Sequence, residues 1–201
     1  MGITTSMVKE LREATSAGIL DCREALEATD GDFDAAVAHL REKGLSEAAK
    51  KSDTAASEGR IEAYIHHGSQ VGVLLELNCE TDFVARTDDF ETLAHDLALH
   101  IAFATPRWLT REGVPQDVIE EESRIYRKRA LEEGKPEHIV DRIVEGRINK
   151  FFEQNCLMEQ PFVKNEDKSI EDLLNDAFTA FGENVVLSRF ERYEVGQRSP
   201  S

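Results

Sequence analysis

Glu80, Asp82, His66 and His67 are the residues of this chain whose types could do chemistry together. Two carboxylates and two imidazoles are the donor set of a metal-dependent hydrolase, in which the ion activates water. Their spacing argues against that use. His66 and His67 are adjacent, and adjacent side chains on a strand point to opposite faces, so the pair cannot easily share one ion. Read plainly, they are two surface histidines at a turn. No glycine-rich phosphate loop of the Walker or dinucleotide type occurs. Cys79 falls on the apolar face of a strand and reads as core. Carboxylates such as Asp88 and Asp89, or the run "EEES" at 120–123, read as solvated faces. The expectation is a chain with no catalytic residue, no metal and no cofactor.

Asp82 and Phe83 remain. They sit in "CETDFVAR" at 79–86, between an apolar strand and a helix. A large bare aromatic just after two acids has two readings. Phe83 can fold back as a staple at the start of the following helix. Alternatively it is held out for another molecule, since an aromatic anchor beside an acid is the composition of an interface hot spot.

The elements around this turn follow from periodicity. Residues 1–45 read as a bundle of three short helices. Met7, Val8, Leu11 and Ala14 share a face of the first, and Ile19, Cys22, Ala25 and Leu26 lie on the second. Asp32 caps the third, where Phe33, Ala36, Val37 and Leu40 follow the i, i+3, i+4, i+7 rule, and Lys43-Gly44 ends it. Residues 46–58, "SEAAKKSDTAASE", lack large apolar side chains and read as a linker, helical in part. The period then changes to two. Ile61, Ala63 and Ile65, then Val71, Val73, Leu75, Leu77 and Cys79, alternate about "HGSQ", which predicts a β-hairpin. Phe90, Leu93, Ala94, Leu97 and Ile101 mark a helix that packs on the sheet, with Asp88 as its cap and Glu91 in the capping-box place. Two charged helices, broken at Gly134-Lys135-Pro136, form a helical hairpin at about 114–156. "CLMEQPFVKNED" reads as a loop. A helix capped by Ser169 and stopped by Gly182, then the strand "NVVLSRFERYEV", complete the chain. The fold class is α+β: a helical bundle at 1–45, a linker at 46–58, and an α+β core with an antiparallel sheet at 59–201.

Bulk composition narrows the partners. The chain has 201 residues with a formal net charge of −16, from 40 acids and 24 bases. That balance disfavours direct binding to nucleic acid and suits docking on a more basic protein. No apolar run is long enough for a membrane span. The polar, helical N-terminus does not read as a signal peptide. Three cysteines, Cys22, Cys79 and Cys156, are odd in number and far apart, which fits a reducing, cytoplasmic setting rather than a disulfide framework.

Two long stretches resemble a known family. "LREATSAGILDCREAL" at 11–26 is similar to the first signature of bacterial elongation factor Ts, with Leu11, Arg12, Thr15, Gly18, Asp21, Cys22, Ala25 and Leu26 in place. "ELNCETDFVAR" at 76–86 is similar to the second almost letter for letter, and "GKPEHIVDRIVEGRINKFF" and "RFERYEVG" also resemble it. The resemblance spans essentially the whole chain. Ser16 stands where the family often has glycine, and Arg23 where lysine is usual. Long members carry two copies of the core unit; this chain resembles the short forms, with one.

The resemblance implies a guanine nucleotide exchange factor for elongation factor Tu in translation elongation, not an enzyme. Thr81, Asp82, Phe83 and Val84 would form the turn that enters the partner's G domain and disturbs the Mg²⁺ site, promoting GDP release and GTP rebinding. The ion and phosphates are held in a narrow geometry, so a small displacement loosens both. The N-terminal bundle resembles a ubiquitin-associated domain, with Arg12, Ile19 and Leu20 as a second contact. His66 and His67 match a further contact with the partner's later domains. A single core unit also implies a homodimer. Two rivals come from other classes. A ubiquitin-associated or nascent-chain adaptor would need only the first 45 residues and leaves "TDFVAR" without a purpose. The metal-dependent hydrolase predicts a bound divalent ion in the isolated protein.

Overall fold

Local capping chemistry sets the starts of several helices, and packing sets other boundaries. The computed structural model describes residues 2–51 and 54–197. Thr5–Thr15 (α1), Ile19–Ala28 (α2) and Phe33–Lys51 (α3) come first. Thr4 caps α1, its hydroxyl accepting from the Met7 amide at 3.3 Å. Asp32 caps α3 as expected, accepting from the Ala35 amide at 2.9 Å. Strands Glu58–Ile65 (β1) and Val71–Cys79 (β2) follow. Next come a short helix, Asp82–Ala85 (α4), and the longer Asp88–Ala104 (α5). Gln116–Glu132 (α6) and Glu137–Asn155 (α7) are the helical hairpin. Pro161–Phe162 (β3) and Asn165–Ser169 (β4) precede Ile170–Phe181 (α8) and Val186–Glu194 (β5). Strands β1, β2 and β5 form one sheet in that order, and β3 pairs antiparallel with β4. The architecture is α+β, helices first and then a small antiparallel sheet with its helices.

The chain divides into two compact units. One gathers the described residues up to Tyr64, with Leu74–Ala98 and Asp172–Glu191. Its helical part buries Val8, Leu11, Ala17, Cys22, Ala25, Leu26, Ala36 and Leu40 as one cluster. Ala14 and Ile19 lie outside it: Ala14 is exposed and Ile19 is 56% exposed. Thr15 turns toward the core instead, donating its hydroxyl to the Leu11 carbonyl at 2.8 Å. α3 does not stop at Lys43-Gly44 but runs to Lys51, into the expected linker. The reason is tertiary. Gly44 is buried, and a Cβ there would stand 2.2 Å from the Thr179 hydroxyl of α8. Gly44 is therefore a packing residue rather than a helix stop, and Arg41 pairs with Asp172 beside it at 2.6 Å. Residues 52 and 53 of the expected linker lie outside the described residues.

In the same unit, Leu75, Leu77 and Cys79 of β2 are buried, as are Phe90, Leu93, Ala94 and Leu97 of α5. β1 inverts the usual pattern. Its apolar alternates Ile61 and Ala63 are exposed, while Arg60, Glu62 and Tyr64 are half-buried. Those polar side chains meet α5: Arg60 pairs with Glu91 at 3.0 Å, Glu62 with His95 at 3.3 Å, and the Tyr64 ring stands edge-on to His95. α5 is capped by Thr87, not Asp88. The Thr87 hydroxyl accepts from the Phe90 amide at 3.2 Å, because the chain leaving α4 delivers Thr87 to that place.

The other unit gathers Ile65–Val73, Leu99–Glu171 and the described residues from Arg192 onward. The hairpin α6–α7 turns at Gly134 (φ 73°), where the Lys135 amide reaches back to the Ala130 carbonyl at 3.1 Å. This is a left-handed helix stop that glycine adopts without strain. Val140 and Phe151 are buried along α7, and Val114, Phe151, Phe152 and Cys156 form a cluster with Trp108 packed on it. The expected loop at 156–167 holds the β3–β4 hairpin, too short and too polar to show a period. His100 is buried there, with a cavity of about 260 Å³ lined by His100, Phe103, Gln160 and Val163.

Candidate partner-binding site

Phe83 stands 82% exposed on α4, while Ala85 two residues on is buried. The staple reading of Phe83 is therefore overturned. The reason lies in what flanks it. β2 ends in Cys79, fully buried, with its thiol donating to the Thr81 carbonyl at 3.2 Å. Burial pushes the Cys79 thiol above its ordinary range, and the nearby Glu183 charge adds to this. The thiol stays protonated and inert. Thr81 is in extended backbone, φ −127°, and caps α4: its hydroxyl accepts from the Val84 amide at 3.4 Å. Thr87 closes the far end, its hydroxyl donating to the Val84 carbonyl at 2.8 Å. One helical turn is thus pinned at both ends. Within it Ala85 faces in, Val84 is half-buried, and Phe83 projects.

Asp82 is the acid of this turn. It pairs with Arg86 at 2.9 Å, four residues on. That pair is largely solvated and holds little energy. Its carboxylate also lies in the first turn of α4, where negative charge complements the unpaired amides.

The sequence missed Glu183 and Asn184, which close around this turn from 102 to 104 positions away. One Glu183 oxygen accepts from the amides of Glu80 and Thr81, at 3.1 and 3.0 Å, and the other from the Thr81 hydroxyl at 2.6 Å. The Asn184 amide donates to the Glu80 carboxylate at 2.8 Å. No local pattern marks these residues; they follow the helix stop at Gly182 and read as the loop before a strand.

The structure places Ile19 and Leu20 at the start of α2, 56% and 74% exposed. Two adjacent apolar side chains exposed at a helix start are unusual outside a contact surface. Arg12 is exposed on α1, and its carbonyl accepts from the Ser16 amide at 2.8 Å. His66 and His67 are exposed in the β1–β2 loop, where the His66 amide donates to the Val71 carbonyl at 2.8 Å and Gly68 and Ser69 take positive φ. Among the described residues, no three of His, Cys, Asp and Glu are placed to hold a metal ion. Nor is any helix among them long and apolar enough to cross a membrane. Cys22, Cys79 and Cys156 are free and buried, and burial pushes Cys156 up to about 11.

Comparison with known proteins gives one consistent answer. The model of the family described as Elongation factor TS matches residues 4–197. A protein named Elongation factor Ts from Syntrophomonas wolfei subsp. wolfei is 54% identical over 195 residues, covering 97% of this chain and 91% of that one. The Elongation factor Ts of Syntrophus aciditrophicus is 51% identical over 197 residues, covering 98% of each. That of Thermosipho melanesiensis is 49% identical over 195 residues, covering 97% of this chain and all of its own.

Proposed function

Because the chain belongs to the elongation factor Ts family, we propose that it is the guanine nucleotide exchange factor of elongation factor Tu. One observation carries the reading: Phe83, a bare aromatic, is 82% exposed on a turn pinned at both ends. An exposed aromatic on a rigid support is an anchor waiting for a pocket. The factor binds the GDP complex, and the turn Thr81–Val84 enters the G domain. Displacement of the groups around Mg²⁺ loosens the ion and the phosphates together. GDP leaves, GTP rebinds, and the factor is released. Arg12, Ile19 and Leu20 make a second contact, and His66 and His67 a third with the partner's later domains. The bundle is ubiquitin-associated-like, the setting is the cytoplasm, and the cycle forms no covalent bond.

Linkage sets the energetics. If the factor weakens GDP by some ratio, GDP weakens the factor by the same ratio. Each tenfold of mutual weakening is about 1.4 kcal/mol of coupling. The test is release of a fluorescent GDP analogue from elongation factor Tu. Release is expected to accelerate as the chain is added. A rate independent of its concentration overturns the proposal.

The same family reading includes a homodimer. What supports it is that β1 lies at an edge of the sheet and exposes Ile61 by 55%. Open edges are usually covered, and a two-fold axis lets like edges cover each other. Light scattering at micromolar concentration under reducing conditions is expected to give the mass of two chains; a mass of one throughout excludes the dimer.

A further inference from the structure

We infer that Glu183 is a positioning residue, which presets the Phe83 turn before any partner arrives. The inference rests on the reading of that turn as the exchange element. Phe83 has little packing of its own to hold it, being 82% exposed. α4 is a single turn of four residues, and a helix that short does not persist unaided. Something outside it must fix its direction, and the hydrogen bonds identify that group.

Both Glu183 oxygens are committed to the two residues that lead into α4. The amides of Glu80 and Thr81 converge on one, and the Thr81 hydroxyl donates to the other. This last bond has a consequence for the cap. A hydroxyl has one proton and two lone pairs. With its proton given to Glu183, the Thr81 oxygen turns its lone pairs toward the Val84 amide, which it accepts. Glu183 thereby sets the rotor of the residue that caps α4. Asn184 returns the grip, its amide donating to the Glu80 carboxylate. Four bonds link residues 80–81 to 183–184, two strangers in sequence. Bonds to an ionised acceptor are shorter and stronger than neutral ones.

The benefit is preorganisation. A turn already ordered loses little further freedom on docking, so more of the contact energy appears as affinity. Loosening the turn should raise the concentration needed for exchange and leave the saturated rate nearly unchanged.

The test uses the full chain. Glu183→Gln keeps the shape but puts an amide where donors converge. Amide hydrogen exchange is expected to accelerate by about tenfold or more at Glu80, Thr81 and Val84, while β2 amides from Val73 to Leu77 keep their protection. In fluorescent GDP release from elongation factor Tu, the half-maximal concentration is expected to rise by about tenfold with the plateau nearly kept. In a Phe83→Ala background the same substitution should change release little. Glu80→Ala, which removes only the return bond, should give the same pattern at smaller amplitude; it serves as the probe if Glu183→Gln lowers protection throughout β2.

Unchanged protection at residues 80, 81 and 84 overturns the inference whatever the partner does. Faster amide exchange with unchanged GDP release overturns it too, provided Phe83→Ala by itself slows release. If Phe83→Ala by itself is silent, the exchange reading of the turn has failed instead, and the inference falls with it.

Discussion

The Ser16 amide donates to the Arg12 carbonyl at 2.8 Å, and Ser16 makes that bond from left-handed backbone, φ 57°. This is the stop of α1, and it sets the link that delivers Ile19 and Leu20 to the surface. A side chain in that conformation is strained by roughly 1 kcal/mol, and glycine is not. Ser16→Gly is expected to stabilise the chain by about 0.5 kcal/mol, the relief being partly offset by the freer unfolded chain. Urea denaturation reads this as a higher midpoint with an unchanged slope. A lower midpoint would show that the Ser16 side chain contributes more than its strain removes.

Phe83→Ala tests the turn directly. The side chain is 82% exposed, so its removal creates no cavity and the thermal midpoint should move little. Truncation of an interface anchor removes ~2 kcal/mol or more of binding. GDP release at sub-saturating concentration should therefore slow by about thirtyfold. Release at the wild-type rate excludes Phe83 as the anchor.

Gly59 should be intolerant of any side chain. Its φ is +146°, and a Cβ there would lie 2.2 Å from the Leu77 carbonyl oxygen and 2.7 Å from the Asn78 Cα. Both obstacles are backbone and cannot rotate away. Gly59→Ala is expected to destabilise the chain by ~2–3 kcal/mol, through displacement of β1 from β2. The accompanying sign is loss of the bond from the Asn78 side-chain amide to the Glu58 carbonyl, now 3.2 Å. A variant with wild-type stability would show that β1 can shift there freely.

Acid should weaken the protein through His100. Its Nδ1 accepts from the Val163 amide at 3.2 Å, so the ring proton sits on Nε2 and is donated to the Gln160 side-chain oxygen at 3.1 Å. Gln160 is oriented by its own donation to the Gln154 carbonyl at 2.8 Å. A proton on Nδ1 would break the bond to Val163 and place a charge in a buried site; Glu153 and Glu166 are the acids lining the adjoining cavity. Burial, the main cause, lowers the pKa of His100 below its ordinary 6.5, and the bond to Gln160 opposes this only in part. The unfolded chain therefore binds the proton first. The neutral ring's contribution is complete above pH ~6.5 and is lost as pH falls through the lowered folded value. His100→Gln should flatten that part of the stability profile. An identical slope in the variant would assign the acid loss to other groups.

Much of this protein was determined by sequence alone, wherever the determining interaction reaches only a few residues. The buried positions of α5, from Phe90 to Ile101, follow a 3.6 period. Asp32 caps α3 from three residues away, and Gly134 stops α6 by a bond that closes within five. The two signatures at 11–26 and 76–86 marked the family. Tertiary structure decided what depends on a partner surface that periodicity does not describe. Gly44 looked like a helix stop until Thr179 gave it a neighbour. Ile61 looked like core, but the face of β1 toward α5 belongs to Arg60, Glu62 and Tyr64. Phe83 could be staple or anchor, since one aromatic beside a helix fits both. Its exposure was decided by which side of α4 meets the body of its unit, and the turn's hold on Glu183 by a contact across 102 residues. A local pattern states that a face is apolar or a turn is capped. Only the packed chain states what lies opposite, and burial is a property of that pair.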